Sequence, residues 1–310
     1  MGKCLYCYKP LTDGERDFHQ KCSKQFFGVK DAPILDFGKD DLKAIAQQIV
    51  IRSVTITGVQ AKLSLALEKI DKQNSRLTIV GLWGDFILKP PSETFPQLPE
   101  NEDLTMKLAT LCGIKTAEHS LIRLASGELA YITKRFDRTK GKKVHVEDFC
   151  QLTETLTEHK YRSSMEKVGK ALKNFSTNTG FDALAFFELT IFCFLTGNAD
   201  MHLKNFSLLK TQSGEIQFSP AYDLVSTKLA MTQDLEEIAL TINGKKNRLK
   251  KVDFDKLGES LGISVKVREH IYLKFQQKIQ PMIDLIGISF LDRDFQKIYQ
   301  DLIVEKGKIL

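Results

Sequence analysis

The run Leu195-Thr196-Gly197-Asn198-Ala199-Asp200-Met201-His202-Leu203-Lys204-Asn205-Phe206-Ser207 sets Asp200 and Asn205 five residues apart. It follows an apolar segment, Phe181 to Leu195, that reads as a buried helix delivering a loop to its end. Phosphoryl transfer uses such a pair. A carboxylate orients the acceptor hydroxyl and accepts its proton, and a neutral amide oxygen binds the metal ion that clamps the nucleotide phosphates. By spacing alone, an Asp and an Asn in a turn also read as caps.

A second acid bears on that choice. Asp223 lies eighteen residues beyond Asn205, at the end of Ile216-Gln217-Phe218-Ser219-Pro220-Ala221-Tyr222-Asp223-Leu224. Phe206 to Leu209 and Ile216 to Phe218 read as short strands joined by the turn residues Thr211-Gln212-Ser213-Gly214. The hairpin predicts that Asp223 returns beside Asn205, giving two oxygen ligands for a hard cation such as Mg²⁺. The alternative is that Asp223 is a cap or turn residue.

Gly197 to Asn205 followed by Pro220-Ala221-Tyr222-Asp223-Leu224-Val225-Ser226 resembles the HipA family of bacterial serine/threonine kinases, toxin components of toxin–antitoxin systems. The resemblance implies a two-lobed, kinase-like α+β fold. Its expected segments are residues 1–30 as a small N-terminal piece, 31–133 as a sheet-containing lobe, and 134–310 as hinge and helical lobe. It implies ATP and Mg²⁺ as cofactors, with Asp200 as the orienting acid and Asn205 and Asp223 on the metal. His202 is expected to support Asp200 by hydrogen bonding.

Working back toward the N-terminus, Val54 to Leu67 reads as strand, glycine turn, strand, and on spacing alone is a plain hairpin. Thr57-Gly58-Val59-Gln60 with Ala61 and Lys62 is similar to the family's phosphate-binding loop. The family phosphorylates itself just upstream of this glycine, which implies Thr55, with Thr57 second, where serine is usual. A phosphate there would add up to about two negative charges beside the nucleotide's own phosphates and should inhibit.

Leu77 to Val80 and Gly84 to Pro90 read as a further strand pair ending in Lys89, a candidate to reach the phosphates. Glu102, in a helix expected from Asn101, is the candidate partner of Lys89, although a first-turn Glu also suits a helix dipole. Leu129 to Arg138 reads as a strand running into a polar link. It is similar to the family's adenine-binding hinge, implying nucleotide contacts by Lys134, Phe136 and Asp137; glutamate is usual where Lys134 stands. From His145 the chain reads helical, with Glu147 and Asp148 opening a helix. Asp40 to Val50 reads as a helix capped by Asp40 or Asp41, and Phe254 to Leu261, Val265 to Ile286 and Phe290 to Leu302 complete a helical lobe.

Cys4-Leu5-Tyr6-Cys7 and His19-Gln20-Lys21-Cys22 have ligand spacing for one tetrahedral Zn²⁺. The competing reading is that Leu5, Tyr6, Phe18 and Phe26 simply pack this end onto the body. Cys112, Cys150 and Cys193 read as buried thiols of a reducing compartment.

The chain has 310 residues, 42% of them hydrophobic, and a net charge of +6 spread along its length. That is enough for one or two cores, and no apolar run is long enough to span a membrane, so a cytoplasmic protein without membrane contact is expected. Asn243 to Lys251 is a basic cluster that could attract an acidic partner; direct sequence-specific nucleic-acid binding is not expected. The short leader before Thr55 resembles the truncated HipT form, whose companions would be a small protein equivalent to the missing N-terminal piece and a DNA-binding antitoxin. The family's substrates imply an aminoacyl-tRNA synthetase as target. Rival readings are a small-molecule or lipid phosphotransferase, and a zinc-containing nucleic-acid-binding regulator with a degenerate kinase site.

Overall fold

A computed structural model describes residues 2–52, 62–71, 74–81, 83–139, 142–231 and 233–310. The chain divides into two units, Met1–Asp103 with Ala117–Phe136, and Leu104–Thr116 with Asp137–Leu310. Among the described residues no helix is long and apolar enough to cross a membrane.

The first unit begins with α1 (Gln20–Phe27) and α2 (Lys39–Arg52). Its sheet comprises β1 (Leu63–Lys69), β2 (Ser75–Val80) and β3 (Phe86–Lys89), then, beyond α3 (Leu98–Leu111), β4 (His119–Arg123) and β5 (Leu129–Lys134). The order is β2-β1-β3-β5-β4, antiparallel throughout. Thus the strands expected to pair, β2 and β3, flank β1 instead: Ser64 faces Val80 on one side and Ile87 on the other. Gly84 makes that crossing possible, since a Cβ there would lie 2.4 Å from the Leu65 carbonyl oxygen.

Two helix starts also differ from expectation. Neither Asp40 nor Asp41 stands at the N-cap of α2; Asp41 instead reaches back from the third position to accept from the Gly38 N–H at 2.8 Å. Helix α3 begins at Leu98, three residues before Asn101, because Pro99 falls in the first turn, where a missing N–H costs nothing. Glu100 takes the first-turn position, and Glu102 lies deeper in the helix.

The second unit takes the rest of α3, and then β6 (Arg138–Thr139), β7 (Lys142–Lys143) and β8 (Val146–Asp148). The last is a correction: Val146–Asp148 pairs with β9 (Ser207–Lys210), and Asp148 caps only the four-residue α4 (Phe149–Leu152). Helices α5 (Met165–Phe175) and α6 (Thr179–Leu195) follow. Helix α6 is apolar on all sides and buried from Phe186 to Leu195 except at Glu188, although Phe181 at its start is exposed. The hairpin β9–β10 (Ile216–Phe218) forms as expected, with Phe218 opposite Leu208. Then come α7 (Thr227–Ala230), α8 (Lys251–Ser260), α9 (Val265–Gly287) and α10 (Arg293–Gly307). Helix α10 starts later than Phe290 because Asp292 caps it, accepting from the Phe295 N–H.

Candidate active site

The loop after α6 is held by its own backbone and by the remote start of α7. Gly197 turns the chain at φ +62, and a Cβ there would press on Lys228 and Leu302. The Thr227 hydroxyl donates to the Gly197 carbonyl and accepts from the Ala199 N–H, both at 2.9 Å. The buried Asn198 Oδ1 accepts from the Asp200 N–H at 3.0 Å, an Asx turn that presents Asp200 half-buried at the loop's edge.

Contrary to the sequence expectation, the His202 side chain does not support Asp200; the Tyr161 phenol donates to its Oδ1 instead. Only the His202 backbone N–H reaches Asp200, at its carbonyl. The imidazole packs edge-on against Tyr161 at 4.9 Å, and its buried Nδ1 has no hydrogen-bond partner among the described residues. Burial drives its pKa down to about 4, against the pull of Asp200, so the ring is neutral at physiological pH. The Tyr161 phenol is raised by burial and then by its bond to Asp200. The sequence reading passed over Tyr161, Asn198, Thr227 and Tyr222; of these, only the Asn-Ala-Asp turn left a local signal.

The Asn205 side chain donates from Nδ2 to the Asp200 carbonyl at 2.8 Å, which orients the amide and leaves Oδ1 as its acceptor. The hairpin then brings the Asp223 segment back. Tyr222, next to Asp223, donates to the Lys204 carbonyl at 2.9 Å and shares a 2.5 Å bond with the Ser207 hydroxyl. Asp223 itself stands at φ +57, a left-handed conformation that its short polar side chain tolerates. An oriented carboxamide oxygen and a carboxylate are the hard donors Mg²⁺ takes, and they fit it.

In the first unit, Lys89 at the end of β3 and Glu102 of α3 form a buried ion pair, Nζ to Oε1 at 2.5 Å, with side chains 6% and 4% exposed. The Lys89 ammonium also lies over the Tyr131 ring. Lys134 is held by Glu118 at 2.5 Å, Phe136 is half-buried, and Asp137 is paired with Arg138 at 2.7 Å. Thr55, Thr57, Gly58, Val59 and Gln60 lie outside the described residues. Three of the four lysines of the basic cluster are engaged: Lys245 with Asp253, Lys246 with Glu236, Lys251 with Glu269.

At the N-terminus, ligand atoms of Cys4, Cys7, His19 and Cys22 all lie within 4.8 Å of one another. The packing alternative is equally present, since Phe26 and Phe27 meet Phe86 at 5.8 and 5.9 Å. Cys112, Cys150 and Cys193 are buried and free.

One unit with a strand lysine paired to a helix glutamate, and a helical unit with an Asp–Asn loop and a returning acid, together define a kinase-like α+β fold. The chain belongs to the HipA-like C-terminal domain family, whose model matches residues 54–283. It is 38% identical over 208 residues to the kinase-named protein Y4dM of Sinorhizobium fredii, covering 62% of this chain and 50% of that one. It is 28% identical over 212 residues to the serine/threonine-protein kinase toxin HipA of Shewanella oneidensis, covering 61% of this chain and 47% of that protein. The chain thus spans about half the length of these two curated relatives. The solved Shewanella HipA, in a complex with HipB and operator DNA, superposes with a TM-score of 0.67 at 22% identity, over 82% of this chain and 64% of that one.

Proposed function

We propose that the chain is an ATP-dependent serine/threonine protein kinase that acts in the cytoplasm as the toxin of a toxin–antitoxin system. The observation that carries the kinase reading is the buried Lys89–Glu102 pair. Two charges removed from water seldom stabilise a fold more than apolar residues of the same size would, so the pair is explained better by a task than by stability. That task is to hold the Lys89 ammonium ready for nucleotide phosphates.

Asp200 orients the acceptor hydroxyl and accepts its proton, while Tyr161 holds the carboxylate in place. Asn205 Oδ1 and the Asp223 carboxylate are the groups that would hold Mg²⁺, with the Asn205 amide fixed in advance by the Asp200 carbonyl. Magnesium-bound ATP, when present, supplies the phosphoryl group and neutralises its charge. His202, neutral at physiological pH, adds no positive charge beside Asp200 and takes no proton. The loop Thr57 to Gln60 covers the phosphates, Lys134, Phe136 and Asp137 line the nucleotide, and Thr55 or Thr57 is the site of self-phosphorylation. Zn²⁺ has no part in the transfer; its candidate ligands form a separate centre.

The Shewanella HipA–HipB complex on operator DNA supports a DNA-binding antitoxin as partner; the resemblance of the sequence to the family extends the proposal to a small N-terminal companion and an aminoacyl-tRNA synthetase as substrate. The test is intact-mass spectrometry after incubation with Mg-ATP, beside Asp200→Ala, with phosphopeptide mapping. One added phosphate at Thr55 or Thr57 in the wild type alone is the expected result. No transfer to the chain itself or to any synthetase, from protein that starts unphosphorylated, would overturn the reading.

A further inference from the structure

The N-terminal cluster has the makings of a built metal site, beginning with its backbone. Cys4 accepts the Tyr8 N–H at its carbonyl and gives its own N–H to the Lys9 carbonyl, both at 2.9 Å, so residues 4–9 close into a tight knuckle. Tyr8, directly after Cys7, stands at φ +64, a left-handed conformation that a bulky residue rarely adopts.

The histidine is oriented as a ligand. Its Nε2 lies 2.9 Å from the Pro10 carbonyl, which can only accept, so Nε2 carries the proton. The bare Nδ1 then faces Cys7 Sγ at 3.4 Å and Cys22 Sγ at 3.7 Å. Ligand bonds of about 2.0–2.3 Å at tetrahedral angles require donor separations of roughly 3.5–3.8 Å. No disulfide joins the cysteines. A carbonyl bound to the far ring nitrogen is the usual partner of a metal-bound imidazole.

The knuckle is also tied to α3. The Tyr8 phenol, 1% exposed, donates to Asp103 Oδ2 at 2.7 Å, and Asp103 Oδ1 lies 2.7 Å from His119 Nδ1. Asp103 is the neighbour of Glu102. We propose that Cys4, Cys7, His19 and Cys22 form a tetrahedral Zn²⁺ site, and that the loaded site fixes Tyr8 and, through Asp103, the part of α3 that carries Glu102. Three thiolates and an imidazole are zinc's own donor set, and four protein ligands leave no open position, so the metal is structural. The site stands without the kinase reading; only the significance of holding Glu102 rests on it.

The test uses the whole chain, purified without chelator. Elemental analysis should find about one zinc per chain, lost in Cys22→Ser, and exchange into Co²⁺ should give the intense visible bands of tetrahedral thiolate coordination. Hydrogen exchange then reads the clamp. The amides of α3 should exchange at least about ten-fold faster in chelator-stripped wild type, and also in Tyr8→Phe, which keeps its zinc. No zinc and no thiolate cobalt spectrum would overturn the site. Bound zinc with α3 exchange unchanged on stripping and in Tyr8→Phe would overturn the clamp. Should Cys22→Ser fail to fold, the cobalt spectrum and the stripped wild type decide the site, and Tyr8→Phe decides the clamp. None of these readouts involves phosphoryl transfer, so a failed kinase assay and a failed metal assay are separate results.

Discussion

The N-terminal knuckle and the loop after α6 both gather candidate metal ligands, but by opposite means. In the knuckle, four ligands come from nineteen consecutive residues, Cys4 to Cys22, arranged by one turn and one short helix. In the loop after α6, Asn205 and Asp223 are separated by a whole hairpin, and the loop itself depends on Thr227 and Tyr161 from other elements. Soft ligands on a local turn can be assembled by the metal itself, whereas hard oxygen ligands for a weakly held Mg²⁺ must be assembled by the fold beforehand. Substitutions in the second region should therefore alter chemistry while leaving zinc untouched, and that separation can be attacked directly.

The largest effect is expected at Asp200. Asp200→Ala should lower phosphate incorporation roughly 10³-fold, the worth of a positioned base, with zinc content unchanged. Mass spectrometry and elemental analysis of one preparation check both; loss of zinc in this variant would mean that the two regions are not independent.

Next is the buried pair of the first unit. Glu102→Ala leaves the Lys89 charge buried without its carboxylate and should cost about 3 kcal/mol of stability, read as a lower urea midpoint, together with most of the activity. Lys89→Met with Glu102→Leu should regain much of the stability and none of the activity. If the double variant were as unstable as the single one, the pair would be a structural element and the argument from its cost would fail.

How much of this was legible in the sequence follows the same division. The spacing of Cys4, Cys7, His19 and Cys22 could be read directly, because local turns fix it. The hairpin could be read from Thr211 to Gly214, and the Lys89–Glu102 pairing from the order of strand and helix. The sheet order could not: placing β1 between β2 and β3 depends on the close approach of Gly84 to Leu65, which no periodicity encodes. Nor could the partner of Asp200. Tyr161 lies 39 residues upstream in an irregular segment, and its role comes only from where packing puts that segment. His202, the near neighbour, was the natural sequence choice, but its ring packs against Tyr161 instead.

His202 gives the third prediction, through pH. Its folded pKa of about 4 lies below the ordinary 6.5, so the unfolded chain binds the proton first as pH falls. Above about pH 6.5 the ring is neutral in both states and costs nothing; between there and pH 4 stability should fall progressively, by about 3 kcal/mol at most. His202→Asn should flatten this acid-side slope, whatever its effect at neutral pH. Urea midpoints for both proteins from pH 7.5 to 4.5 measure it, and parallel slopes would mean that the imidazole is more solvated than its surroundings imply.

The smallest effect, and the sharpest test of an active site assembled by remote elements, is Tyr161→Phe. The ring that packs on His202 is kept, and only the phenol bond to Asp200 Oδ1 is lost. A hydrogen bond to a charged group is worth about 1.5–3 kcal/mol, but Tyr161 is half-exposed and water can replace its hydroxyl, so only part of that should appear. The expected loss in kcat is about five- to ten-fold, with KM for ATP unchanged, because the bond positions the group facing the acceptor and not the nucleotide. A rise in kcat would reverse the assignment: the phenol would then occupy the place of the acceptor hydroxyl on Asp200 and restrain the enzyme. An equal change in KM for ATP would show that Tyr161 acts on the loop as a whole, through His202 and the Asn205 amide.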